Sequence, residues 1–405
     1  MADFRRTKHH SLSSERWLTL AIFLMMAWYI FLCFLHLLSR RPLWNDEECV
    51  FRSIAAFSPT DFFHKWLLAI QMFPRVYLFL IQQIAKPFHF SLVMLRLPSF
   101  VCMMAGFFCW MKIASCELKN KLHYLTFCLS WAGSAVLIYY SAELKPYSMD
   151  VLVASIFILF LYHQEKLEKD GGKKYATLLF ILPALVLFSY PAYFFVALPL
   201  YNLFCWSRKD PKRLRSLAIY AGSLILFAGL SYFFDIRLRP VKELTQGWND
   251  YFVSLSSVGE FLKTSGEGTM NLLSRWFVER PKILKHIGIF FVMPFFLKML
   301  VTFPKNFRNE NFQIKSIHTI AFIVFAELFL LGVMKKYPFT VPRTSLFFCP
   351  LLFLLVVKGI AGLKDWNKKF YGIILGSFIY FLIFLSIGIS FFVFAKQLMY
   401  RPVLW

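Results

Sequence analysis

The chain has 405 residues, 59% of them hydrophobic and 50 of them Phe, with a formal net charge of +23. An apolar share above the roughly 45–50% of soluble globular domains excludes a soluble fold and points to an all-α polytopic membrane protein. The charge does not call for nucleic acid, because Lys and Arg fall in short clusters between apolar runs, as membrane topology demands.

A helical span needs roughly 20 apolar residues, and on that measure about eleven spans are expected. They fall at 17–39, 91–113, 122–140, 148–164, 175–188, 190–206, 217–234, 284–302, 317–334, 346–363 and 371–395. The first follows Arg5, Arg6, Lys8 and Arg16 and is too long for a cleaved leader, so it is read as an uncleaved span. Between the fifth and sixth stands only SYPAY, where Pro191 either divides two spans or kinks one.

Alternating from a cytoplasmic N-terminus puts every short basic cluster on the inside: Lys112/Lys119/Lys121, Lys166/Lys169/Lys173/Lys174, Arg208/Lys209/Lys212/Arg213/Arg215, Lys305/Arg308/Lys315 and Lys364/Lys368/Lys369. The outside receives two long segments, about 40–90 and 235–285, and the short stretches SAELKPYS and KKYPFTVPR. Within the first segment, SPTDFFHKWLLAIQMFPRVYLFLIQQIA mixes aromatic and aliphatic residues with His64, Lys65 and Arg75. It is expected to form one or two helices lying in the interface. No internal repeat and no separate soluble domain is expected, so residues 1–405 read as one membrane domain. Eight Cys without a CxxC pair argue against a zinc ribbon or a redox motif.

Unusual chemistry gathers on the outside. Asp46, Glu47 and Glu48 follow Trp44 just beyond the first span, where a membrane-embedded substrate exposes its polar head. Such a run reads as a hydrated loop, as oxygen ligands for a divalent cation, or as a general base. In YYSAELKPYSMD, Glu143 and Lys145 stand at the outer edge of the third span, and a helix there would set Glu143 and Tyr147 four apart on one face. Arg343 in YPFTVPRTSLFFCP runs against the charge bias and suits a phosphate or a carboxylate. Arg237 and Arg239 in DIRLRP are equally suited to phosphate, and all three can snorkel to lipid headgroups. Arg96 and Glu327 are ionisable residues inside apolar runs, where a charge needs a partner or neutralisation. Phosphate loops, HExxH and GxSxG are absent.

The order of these parts, with an acidic pair after an aromatic, then P..Y at Pro74/Tyr77, RLPS at Arg96–Ser99, the ELKPY edge at Glu143–Tyr147 and a late R..LF..P edge, resembles the C-type glycosyltransferase (GT-C) superfamily. Within it the chain is similar to bacterial protein O-mannosyltransferases and to the lipid A aminoarabinose transferase. It departs from them at Met72-Phe73-Pro74, where they usually carry His-Pro-Pro, and at Ala142 and Lys145, where Gln and Arg are more frequent.

The resemblance implies a multi-pass enzyme of the bacterial cytoplasmic membrane. It would move one sugar, with inversion, from a polyprenyl-phosphate donor to lipid A, a surface glycan or a protein at the outer face. Asp46 is the expected base and Glu47 its helper. Lys145, Arg343, Arg237 and Arg239 are the candidates for the donor phosphate, and Glu143, Tyr147, His64 and Arg75 those for substrate contacts. The need for a metal stays open at this point, with Asp46, Glu48 and Glu143 offering oxygen ligands for Mg or Mn. A transporter or flippase of lipid-linked sugars is the alternative, and Glu327 is the residue that leans toward it.

Overall fold

The computed structural model describes residues 2–39, 41–239, 243, 246–274, 276, 282–307, 314–339 and 341–399, which contain helices and no strand. In chain order these are α1 (Ala2–Leu38), α2 (Asn45–Ala56), α3 (Arg75–Ala85), α4 (Leu92–Glu117), α5 (Lys121–Ala132), α6 (Ala135–Tyr140), α7 (Tyr147–Asp170), α8 (Gly172–Ile181), α9 (Tyr193–Lys209) and α10 (Leu214–Phe234). Then follow α11 (Val258–Ser274), α12 (Lys282–Phe307), α13 (Ile317–Val333), α14 (Cys349–Trp366) and α15 (Lys368–Met399). Parts of the segment at 235–285, and Arg308 of the basic cluster before α13, lie outside the described residues.

Six helical stretches are long and apolar enough to cross a bilayer: Glu15–Leu38, Leu92–Glu117, Tyr147–Asp170, Pro211–Leu238, Arg343–Trp366 and Lys368–Lys396. Two shorter apolar helices, His286–Val301 and Ile317–Val333, join them. Of the other three expected spans two are interrupted, and the third, 190–206, corresponds to α9. The run at 122–140 breaks at Gly133–Ser134, where the Ser134 hydroxyl caps α6 by accepting from Leu137 N–H and donates to the Trp276 carbonyl. The run at 175–188 turns 3-10 from Leu182, with Pro183 supplying no N–H for an α-helical bond. Pro191 divides two helices rather than kinking one, since Tyr190–Ala192 is a separate short turn before α9.

The centre of the molecule is α14, flanked by α5, α12, α13 and α15. The most extensive helix pairing is α4 with α7. Gly106 permits it, because a Cβ there would meet the backbone of Leu152 at 3.3 Å, and small residues let helices approach in this way. At the periphery, α10 leaves Ile225 75% and Phe233 55% exposed, as a lipid-facing helix would.

Three helices fix the two ends of the bundle. α1 runs from Glu15, paired with Lys121, to His36. α7 runs from Tyr147 to Glu165, which holds Lys169 and Lys315, and α14 runs from Cys349 to Lys364. Basic residues therefore crowd one end. At the other, α2 and α3 build a small core of their own from Val50, Ile54, Phe62, Phe73, Tyr77 and Leu78, closed by Leu144. Gln82 ties the pair together by donating to the carbonyls of Ile54 at 2.8 Å and Phe57 at 2.7 Å, which end α2. Of the one or two helices expected at 58–85, the structure shows one α-helix, α3, and α2 precedes that stretch.

Candidate functional site

The acidic run is the first turn of a helix. Trp44 is the N-cap of α2, and Asp46, Glu47 and Glu48 occupy its opening turn, where the helix dipole favours negative charge. Helical geometry then splits the run. Asp46 faces a partly open surface, and Glu47 turns into the protein and is fully buried.

Glu47 was expected to act beside Asp46, and its surroundings reassign it to support. Arg96 holds it through Nε at 3.1 Å and Nη2 at 2.8 Å, and Arg41 stands 3.6 Å away. It also accepts from the backbone N–H of Leu144 at 2.8 Å and of Trp44 at 3.3 Å. With both oxygens so occupied, Glu47 locks the start of α2 to α4 and to the loop at 141–146. Arg96 thereby gains the partner that its apolar setting demanded, and its remaining N–H groups reach the carbonyls of Arg41 and Pro42.

Asp46 keeps a different company. Arg343 Nη1 donates to its Oδ2 at 2.8 Å, and Lys145 Nζ stands 3.3 Å from the same oxygen. Lys145 is nearly buried, and burial pulls its ammonium below the usual lysine range. A second anchor for Lys145 is Gln71, whose Oε1 accepts from Nζ at 2.9 Å. The turn that delivers Gln71 puts Ala69 at φ +59° and Ile70 at φ +49°, a left-handed backbone that a β-branched residue rarely adopts. Strain of this kind persists where surrounding contacts impose it.

Two indoles converge on Arg343, with its guanidinium carbon 5.8 Å from the Trp44 ring centre and 5.5 Å from that of Trp248. Trp44 also donates through Nε1 to Glu143 Oε1. Glu143 is fully buried, and its Oε2 has no hydrogen-bond partner. Burial, with the Glu47 charge nearby, pushes the Glu143 carboxyl up to about 8. It therefore positions Trp44 from beneath and has no open side for substrate.

The helical face expected to join Glu143 with Tyr147 does not form. Residues 141–146 are non-helical and α7 starts after Pro146, so Tyr147 packs edge-on against Tyr140 instead. The remaining motif residues are scaffolding for Lys145: the Ser99 hydroxyl donates to the Lys145 carbonyl at 3.1 Å, and Tyr77 OH lies 3.4 Å from Ser99 Oγ.

Other expected contacts lie elsewhere. His64 is exposed, with Asp61 at 3.3 Å. Arg75 and Arg239 meet at Asp235 rather than Asp46, and Arg237 stacks on Phe233. Sequence reasoning passed over Arg41, Gln71 and Trp248, and Trp44 was visible only as the aromatic before the acids. Among the described residues no three His, Cys, Asp or Glu side chains gather to hold a metal ion. With an arginine and a lysine already on Asp46, the cluster does not suit a divalent cation. Comparison of the chain with protein families, with characterised proteins and with solved structures finds no match in any of the three.

Proposed function

We propose that the chain is an inverting glycosyltransferase of the GT-C type, acting at the outer face of a bacterial cytoplasmic membrane on a polyprenyl-phosphate sugar. The observation that carries this reading is Asp46, partly open to solvent, held by Lys145 and Arg343 at the bundle end away from the basic loops. In the proposed step the acceptor hydroxyl attacks the anomeric carbon and gives its proton to Asp46. The bond from that carbon to the phosphate oxygen breaks, and Lys145 and Arg343 take up the charge of the departing phosphate. Pre-set cations of this kind need no rearrangement as charge develops. The acceptor is an envelope lipid, glycan or protein.

The test is mass spectrometry of lipid A, surface polysaccharide and envelope proteins from a deletion strain, complemented with wild type or with Asp46→Asn. One component should lose one sugar in the deletion, regain it with wild type and stay without it in the variant. Full restoration by Asp46→Asn would remove Asp46 as base, and an unchanged envelope would remove the reading. A flippase remains the second reading because Glu327, within α13, has an Oε2 without a partner. It predicts that Glu327→Gln is the more damaging substitution.

A further inference from the structure

The second charged cluster lies between α3 and the end of α10, away from the contacts of Asp46. Arg75 is 2% exposed and Asp235 4%. Arg75 spends Nη1 on the carbonyls of Phe62 and Lys65 and Nη2 on that of Leu238, leaving Nε without a hydrogen bond. Arg239 lies over the Tyr190 ring, 3.9 Å from its centre, with Nε and Nη2 both buried and unpartnered.

Between the two guanidiniums sits Asp235, which accepts from Tyr190 OH at 3.0 Å but stays 3.7 Å from each arginine. That separation is too long for a direct hydrogen bond. Two cations share one carboxylate at arm's length, and three donor atoms are buried without a hydrogen bond. Buried donors left in this state are costly, so an arrangement that concentrates them is poised for an acceptor.

A cavity of about 100 Å³ opens beside Arg75 and Asp235, lined by these two and Ser231 and walled by Phe63, Leu230 and Phe234. Ser231 Oγ, on its wall, also lacks a partner. The cluster carries two guanidiniums, one of them on the cavity's lining, to one carboxylate, the space is that of a small tetrahedral anion, and the rim is apolar. Outside it α10 presents Tyr232, Phe233 and Phe234, all more than 40% exposed, along which an acyl or prenyl tail can lie. We propose that this cavity binds the phosphate of a membrane lipid, at a site separate from Asp46. Guanidinium forks suit phosphate oxygens, and the apolar rim excludes the competing water. The site holds whether or not the chain transfers sugar.

The full chain, purified into phosphatidylcholine nanodiscs, tests this by native mass spectrometry after addition of a polyprenyl monophosphate or of phosphatidylglycerol. Wild type should retain a phosphate-bearing lipid over the zwitterionic matrix. Arg239→Gln, which removes the guanidinium from Asp235 and from the Tyr190 ring, should weaken retention about tenfold, the scale of one charge-assisted hydrogen bond. Ser231→Leu, which fills the cavity without touching a charge, should weaken it similarly, and Arg52→Gln, an exposed arginine of α2 outside both clusters, should leave it unchanged. Retention of the prenyl lipid alone identifies a carrier as the ligand, and equal retention of both identifies a bulk headgroup; either supports a phosphate site. Retention that is unchanged by both Arg239→Gln and Ser231→Leu, or no preference over phosphatidylcholine, overturns it.

Discussion

The Asp46 and Asp235 clusters are built from the same parts: one carboxylate, two cations and an aromatic ring against a guanidinium. Their spacing differs. Asp46 is gripped at 2.8 and 3.3 Å, whereas Asp235 is approached at 3.7 Å by both arginines. The tight cluster is assembled from four distant stretches, α2, the loop before α7, the turn carrying Gln71 and the segment before α14, and each anchors another. The loose cluster hangs between an outer helix and a lipid-facing one, and three of its donor atoms have no hydrogen bond. On the two proposals, equal charges serve opposite ends: fixed geometry around a reacting group, and spare hydrogen-bonding capacity for a ligand.

Substitutions can break that contrast, starting with the largest effect. Asp46→Asn should cut sugar transfer by about 10²- to 10⁴-fold, the usual weight of a general base, as read by transfer to the component identified in the deletion strain. Asp235→Asn should leave the tight cluster intact and strengthen retention of phosphate lipids, because one negative charge leaves the cavity while Tyr190 keeps an acceptor. Weaker retention would contradict the charge argument.

Next in size is the support beneath Asp46. Arg96→Met leaves Glu47 buried without its main cation and should cost about 3–5 kcal/mol, visible as a lowered unfolding temperature in detergent. Arg96→Met with Glu47→Gln should recover much of that loss, since no unpaired charge remains. A double variant as unstable as the single one would show that packing, and not charge, dominates there.

Glu143 gives a smaller, pH-dependent signal. Its folded value of about 8 stands above the usual 4.5, so between these values the folded chain holds a proton that the unfolded chain has released. Its contribution to stability therefore declines as pH rises from about 4.5 to about 8 and is flat above. Glu143→Gln should flatten that slope in melts recorded from pH 5 to 8, and parallel curves for the two proteins would sink the assignment. Smallest of all, Ile70→Gly should raise stability by about 1 kcal/mol or less by relieving the left-handed backbone, with Lys145 still held by Gln71.

Much of this architecture was legible in the chain. Apolar run lengths located the helices, and Asp46, Lys145 and Arg343 were singled out before their contacts were known. Span number was less legible, because an apolar run does not reveal whether Gly133 or Pro183 will interrupt it. The roles within the acidic run were hidden as well. Adjacent carboxylates look alike in sequence, and only the 100° step of a helix sends Glu47 inward to Arg96 while Asp46 stays at the surface. An acidic first turn is itself a helix-start signal, which the reading of residues 46–48 as a loop overlooked. The meeting of Arg75 with Asp235 and Arg239, across some 160 positions of chain, leaves no local trace at all.

The separation of Asp46 from Arg343 also sets a clock. They are 297 residues apart, and at about 5–20 residues per second a ribosome needs roughly 15–60 s to make that stretch. During that interval the acidic turn, its small hydrophobic core and Lys145 can all be in place while the second cation does not yet exist. A chain cut short before residue 343 would lose the tight cluster, so the site waits on the synthesis of Arg343.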